Sequence, residues 1–361
     1  MNSKSGIIPS LELSTIFSMQ EPSSHDGFQY GRIGNPTRQH LENKLAELHN
    51  STYAVVFSSG SAAIHNILIL LKQGDEIICH QQMYEGTVRL LQKVFNNFGI
   101  NTRFINLKNV QNLKKNISEK TKLLIIESPT NPLLEELDVE TLCAIAKKHN
   151  ILTVVDNTIA SALTQKPLKL GADMVVESLT KITNGHSDAM GGAVFSNDKK
   201  ISDKLKFFQH TIGAILSPFD SWLILRGLKT LEIRHKLIME NKVVIEKFLK
   251  NNKSLEKVFS SSLGPLISFR VNNKISPHLF ITSLKKIIIG HSFGGTETII
   301  QQPSIMMDLS SNSDPRINEK LFRLSVGLEQ ASDLILDLKQ ALKKSSRLKL
   351  TNDLDFEENQ T

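Results

Sequence analysis

Lys181 closes the stretch Met174-Val175-Val176-Glu177-Ser178-Leu179-Thr180-Lys181, an apolar run ending in two hydroxyls. An amine at the end of a buried strand is poorly placed for a solvated charge. Either its stem snorkels over the sheet edge, or desolvation lowers its pKa and makes it a nucleophile suited to a Schiff base. Three other places in the chain offer matching chemistry. Asp156 follows Leu152-Thr153-Val154-Val155, a carboxylate at another strand end. Ser59-Gly60-Ser61 opens a helical pattern from Ala62, where free amides suit a phosphate, and Ser178 and Thr180 add hydroxyls. Arg323, in Phe322-Arg323-Leu324-Ser325-Val326-Gly327, is a planar cation able to hold a carboxylate with two bonds. Together these are the needs of pyridoxal 5′-phosphate (PLP): a lysine for its aldehyde, a carboxylate for its ring nitrogen, a phosphate cradle and a site for an amino-acid carboxylate.

Singly, each residue has a plainer reading. Asp156 serves equally as a helix N-cap, Ser59-Gly60 as a turn and Arg323 as half of an ion pair. Their order, all at expected strand ends, favours the joint reading, and the surrounding elements would bring them together. Strands are expected at Ala54–Phe57, Glu76–Cys79, Thr102–Ile105, Lys122–Glu127, Leu152–Asp156 and Met174–Glu177, with helical periods between most of them. One helix starts near Pro36 with Leu41, Leu45 and Leu48 on a face, and another runs from Ala62 to Leu71 before Gly74. Strands alternating with helices give a mostly parallel sheet in an α/β fold, with ligands beyond the carboxyl ends of the strands. After Leu231 the texture changes to a long Lys/Glu-rich helix, a strand at Leu266–Val271 and a helix at Phe280–Lys286. The expected organisation is a large domain up to 232, a second, smaller domain at 233–345 and a polar, disordered tail at 346–361.

The 361 residues, 22% charged and 40% hydrophobic, exclude collagen-like, coiled-coil and wholly disordered classes. Cys79 and Cys143 are too few for a disulfide framework or a cysteine zinc site, and no spaced His/Cys set suggests a metal. The first residues lack a charged region leading into an apolar run, and no stretch reaches the ~20 apolar residues that span a bilayer. A cytoplasmic protein without membrane association is expected. The net charge of +7 raises nucleic acid as a partner. The lysines are scattered, however, and no aromatic-basic ladder accompanies them, so none is expected.

At this point the residues match a family. The chain resembles the trans-sulfuration enzymes, the Cys/Met-metabolism group of PLP-dependent enzymes that includes cystathionine gamma-synthase, gamma-lyase and beta-lyase and methionine gamma-lyase. The resemblance runs from about Tyr30 to Leu342. It is carried by Tyr30-Gly31-Arg32-Ile33-Gly34-Asn35-Pro36-Thr37, Glu127-Ser128-Pro129-Thr130-Asn131-Pro132, Val155-Asp156-Asn157-Thr158, Thr180-Lys181 with Asn184-Gly185-His186-Ser187-Asp188, Leu216-Ser217-Pro218-Phe219-Asp220, and Arg226-Gly227-Leu228-Lys229-Thr230-Leu231. It implies the aspartate-aminotransferase fold (fold type I), with an N-terminal arm at 1–32, a large PLP-binding domain at 33–232 and a small C-terminal α/β domain at 233–345. It also implies that Lys181 carries PLP and moves protons, and that Tyr84 stacks on the ring and assists proton transfer. Asp156 would pair with the ring nitrogen, while Gly60, Ser61, Ser178 and Thr180 hold the phosphate. Tyr30 and Arg32 would reach the phosphate of a neighbouring subunit in a homodimer or homotetramer. Asn131 and Arg323 would bind the carboxylate of a sulfur-containing amino acid, with Ser292 lining the same pocket.

The resemblance also bears on the reaction. Methionine gamma-lyases typically carry a reactive Cys where this chain has Gly86. Arg89 matches an arginine of gamma-synthases and gamma-lyases that neutralises a distal carboxylate, although a helix-surface arginine is its plain alternative. His291 stands where those same enzymes usually have Glu. The expected activity is cleavage of the C–S bond of cystathionine-like amino acids, with a gamma-synthase next and a non-catalytic relative as the rival class. Three departures stand out: a short segment before Gly27, a direct run through Phe259-Ser260-Ser261-Ser262-Leu263-Gly264-Pro265, and Gln302-Pro303-Ser304-Ile305-Met306-Met307-Asp308 in place of a histidine-bearing stretch.

Overall fold

The computed structural model describes residues 7–22, 27–307 and 314–346. The chain packs as two units, one of Met1–Ser128 and Glu136–Glu232, the other of Pro129–Glu135 and Ile233–Thr361. The reading of 33–232 as one contiguous domain thus differs at Pro129–Glu135. There the Ser268 hydroxyl donates to the Pro132 carbonyl at 2.6 Å, and Leu133 is buried with Ile317 and Leu321. Apart from Ser346, which bridges to Ile275, the tail read at 346–361 lies outside the described residues, as does Asp308. Among the described residues no helix is long and apolar enough to cross a membrane.

The first unit is built on β1 (Tyr53–Phe57), β2 (Glu76–His80), β3 (Asn101–Ile105), β4 (Thr121–Glu127), β5 (Leu152–Asp156), β6 (Met174–Glu177) and β7 (Gly192–Ser196), in the order β1-β7-β6-β5-β4-β2-β3. The pairs β3–β2, β2–β4, β4–β5 and β5–β6 are parallel, and β7 is antiparallel to both its neighbours. The sequence reading misses β7, which follows β6 with no helix between them; without a crossover the strand can only return antiparallel. The covering helices are α1 (Pro36–His49), α2 (Gly60–Leu68), α3 (Glu85–Arg89), α4 (Val110–Asn116), α5 (Val139–Lys148), the short α6 (Ser161–Thr164), α7 (Lys199–Ile212) and α8 (Pro218–Leu228). Alternation within the strands feeds two cores. Ile77, Ile125, Val154 and Val176 pack with Ile64 and Ile67 of α2, whereas Ile78, Leu124, Ile126 and Val155 pack with Leu142 and Cys143 of α5. Burial on both faces explains why these strands read as unbroken apolar runs.

The second unit contains α9 (Leu231–Lys250, whose first two residues belong to the first unit), β8 (Leu255–Ser260), β9 (Leu266–Val271), α10 (Pro277–Thr282), β10 (Ile288–Ile289), β11 (Ile299–Gln301), α11 (Pro303–Met306), β12 (Leu321–Ser325) and α12 (Ala331–Lys344). Its sheet order is β10-β11-β12-β9-β8, antiparallel except at β10–β11. Phe269, Phe280 and Phe322 meet at centroid distances of 4.9 to 5.9 Å in its core. The helix expected at Phe280–Lys286 is shifted to Pro277–Thr282. Ser276 caps it one residue before Pro277, and beyond its end the amides of Lys285, Lys286 and Ile287 turn to the Asp337 carboxylate instead of continuing the helix.

Candidate active site

In the first unit Glu127 of β4 pairs in register with Asp156 of β5, and Asp156 with Val176 of β6. Parallel strands release their chains at one sheet edge, so the residues that follow arrive together. Asp156 is half-buried. Its Oδ1 accepts from the Thr158 amide at 3.0 Å and hydroxyl at 2.5 Å, and the same hydroxyl accepts the Ser178 amide at 3.0 Å. Burial raises the Asp156 carboxyl above its ordinary value; the Thr158 bonds oppose this and the Glu177 charge adds to it. Its Oδ2 takes no hydrogen bond from the described residues.

The chain leaves β6 in a turn in which the Lys181 amide donates to Ser178 O at 3.2 Å and the Gly185 amide to Lys181 O at 2.8 Å. Lys181 is half-buried. Thr180 Oγ1 accepts the Gly191 amide at 3.0 Å, and Asn184 Nδ2 donates to Asp188 at 2.8 Å, so the Asn184-to-Asp188 motif secures the turn itself. Against this turn stands the start of α2. Ser59 caps it by accepting the Ala62 amide at 3.1 Å, which leaves the Gly60 and Ser61 amides in the first helical turn. The cap also explains why α2 begins at Gly60, before the expected Ala62. A Cβ on Gly60 would stand 2.9 Å from Ser178 Cβ, so glycine permits the approach of helix start and lysine turn.

Tyr84, 40% exposed, precedes α3. Its amide donates to Glu127 Oε2 at 2.6 Å. Burial pushes its phenol up, with Glu85, Asp156 and Glu127 reinforcing and Arg89 opposing, so it stays a proton donor at neutral pH. A side chain at position 86 would strike the Tyr84 ring, with Cζ at 2.8 Å, so Gly86 lets the ring fold back. Arg89 ends α3, exposed, and the helix continues into a π-helical turn at Leu90–Val94. Tyr30 and Arg32 are also exposed. The Arg32 guanidinium carbon lies 5.5 Å from the Tyr30 ring centre, and its Nη1 donates to His210 O at 2.5 Å. The described residues thus place Tyr30 and Arg32 beside each other at the surface.

In the second unit Arg323, only 4% exposed, is the middle residue of β12 and not at a strand end as expected, because β12 runs on through Leu324 and Ser325 in its pairing with β9. Its Nη1 donates to Asn131 Oδ1 at 2.9 Å, its Nη2 to Ser292 O at 3.0 Å, and its guanidinium carbon lies 5.5 Å from the Phe293 ring centre. Asn131 and Arg323, expected to bind a carboxylate, are therefore together with Ser292, which contributes its carbonyl. Ser292 holds φ at +90°, a region costly for a residue with a side chain. Asn131 sits in the segment Pro129–Glu135, which Arg316 fastens by an ion pair to Glu135 at 2.8 Å.

The sequence pattern of the family described as Cys/Met metabolism PLP-dependent enzyme matches residues 2–343. The chain belongs to this family. It is 40% identical to a cystathionine beta-lyase of Lactococcus lactis subsp. cremoris over 88% of this chain and 89% of the relative. It is 38% identical to a cystathionine gamma-synthase/O-acetylhomoserine (thiol)-lyase of Bacillus subtilis over 91% and 90%. Among solved structures it is similar to cystathionine gamma-lyase from Lactobacillus plantarum, complexed with L-serine, with TM-score 0.90 and 32% identity over 94% and 93% of the two chains. The fold is the α/β, fold type I arrangement of these PLP enzymes.

The residues present fit that cofactor. Asp156 is a carboxylate raised by burial whose Oδ2 is open, a group that gains from a cationic ring N–H. The Gly60 approach leaves helix-start amides beside the Ser178 hydroxyl, a donor set for a dianion. Sequence reasoning gave no role to Thr158, which links Asp156 to the lysine turn, or to Glu127 beneath Tyr84, although both lie within quoted motifs. Phe293 under Arg323 left no signal beyond adjacency to Ser292.

Proposed function

We propose that this PLP-dependent family member cleaves the C–S bond of cystathionine-like amino acids, as its beta- and gamma-lyase relatives are named for doing. The reading is carried by the buried Arg323 guanidinium, oriented by Asn131 and Ser292, which suits an amino-acid α-carboxylate. PLP, when bound, supplies an electron sink for charge at the substrate Cα. Lys181 Nζ holds the cofactor and then takes the proton from Cα. Asp156 keeps a proton on the ring nitrogen by pairing with it. Gly60, Ser61, Ser178 and Thr180 bind the phosphate and so fix the ring's position. The Tyr84 phenol, kept protonated by its surroundings, donates its Oη proton to the departing sulfur. Water completes the balance, leaving a thiol, a keto acid and ammonia.

Arg89, close enough to Tyr84 to act on its phenol, supports a second reading in which it receives a distal carboxylate during gamma-replacement. Tyr30 and Arg32, adjacent and exposed, support a homodimer or homotetramer in which they reach the phosphate of another copy. Incubation of the protein with cystathionine alone tests the main reading. Pyruvate with homocysteine identifies a beta-lyase, and 2-oxobutyrate with cysteine a gamma-lyase. Product formation only from O-acyl-homoserine plus cysteine replaces the lyase with the synthase. Mixing Tyr30→Ala and Lys181→Ala variants with verified subunit exchange should restore part of the activity; none restored would overturn the shared site.

A further inference from the structure

A line of buried side chains runs from the end of α1 to the turn that carries Lys181. His49, the last residue of α1, stacks on Phe195 of β7 with ring centroids 3.5 Å apart and planes 11° from parallel. Its Nε2 lies 3.1 Å from Glu177 Oε2, with side chains only 3% and 1% exposed. The two atoms are not aligned for a hydrogen bond, so the ring stack and close packing hold this contact. The other oxygen, Oε1, accepts the hydroxyl of buried Thr183, two residues beyond Lys181. A buried carboxylate is a costly last residue for a strand that is otherwise Met174-Val175-Val176, and the expense falls where the lysine turn begins. Thr158 fastens that turn at Ser178 and Gly191 fastens it at Thr180, both before the lysine. Thr183 adds a tie after it.

We propose that Glu177, braced by His49, is a positioning residue that fixes the Lys181 amine by holding Thr183. The proposal rests on Lys181 as the cofactor lysine. The test uses the holoenzyme and a cycle of variants. Thr183→Val should lower kcat about tenfold with KM within about twofold, and PLP should dialyse away several-fold faster. Thr183→Ser, which keeps the hydroxyl, should restore both. In a Lys181→Ala background, Thr183→Val should no longer change PLP retention, because the group it positions is gone. If Thr183→Val folds poorly by leaving Glu177 Oε1 unpaired, Glu177→Leu with Thr183→Val removes both partners and should show the same defects in kcat and retention. Wild-type kcat and retention in Thr183→Val, or an equal loss of retention in the Lys181→Ala background, overturns the positioning role. Undiminished turnover by Lys181→Ala overturns the lysine assignment itself, and this inference falls with it.

Discussion

In the first unit the side chains set toward the chemistry leave the ends of parallel strands, whereas in the second unit Arg323 projects from the middle of an antiparallel strand. Asp156, Lys181 and their hydroxyl partners are neighbours because β5 and β6 are neighbours. Arg323 gains its setting from contacts distant in sequence: Asn131 lies 192 residues earlier and Ser292 31 residues earlier. Topology alone delivers the first group, while the second depends on a segment from elsewhere in the chain. Damage to the first should abolish chemistry, and damage to the second should weaken substrate binding.

Lys181→Ala should lower turnover by roughly a thousandfold or more with an unchanged thermal midpoint, checked by product assay and circular dichroism. Retained turnover would break the comparison at its strongest point. Arg323→Lys keeps the charge but loses the planar fork, and kcat/KM should drop about a hundredfold, mostly through KM. A fall confined to kcat would show that the arginine serves the reaction and not the binding. Asn131→Ala should raise KM about tenfold by freeing Arg323 Nη1.

Asp156 offers a test through stability. Its carboxyl is raised above the ordinary 3.8 in the folded protein, so ionisation costs the fold stability as pH rises through the folded value. Without PLP, Asp156→Asn should therefore unfold at a higher temperature than wild type at neutral pH. The difference should vanish as the pH falls and the aspartate becomes neutral in both states. With PLP bound the order should reverse. The smallest effect belongs to Ser292→Gly, which keeps the carbonyl and relieves the positive φ, and should leave KM within about twofold. A large rise in KM would assign the hydroxyl a role that the geometry gives to the carbonyl.

The same contrast explains what could be read from the sequence. Strands buried on both faces announce themselves as apolar runs, and the polar residues after them are conspicuous, so Asp156, Ser178 and Lys181 could be placed by position alone. The strands β7 and β8 escape this reading. β7 has no crossover helix to frame it, and β8 has no fully buried residue, with Glu256 and Lys257 exposed side by side. Arg323 was singled out by type, since nothing local reveals that Asn131 packs beside it. Tyr84 is legible as a polar residue after the β2 run, but its role comes only from the resemblance; its amide is held by the Glu127 carboxylate, which is 43 residues away.

Pro129–Glu135 sets a schedule for synthesis. The segment leaves the ribosome long before the residues that complete its surroundings: Arg316 follows Glu135 by 181 residues and Arg323 follows Asn131 by 192. At about 5–20 residues per second, that is a wait of roughly ten to forty seconds during which Leu133 has neither Ile317 nor Leu321 to cover it. A nascent chain paused anywhere in this interval would carry Asn131 without Arg323 and Leu133 without its apolar cover.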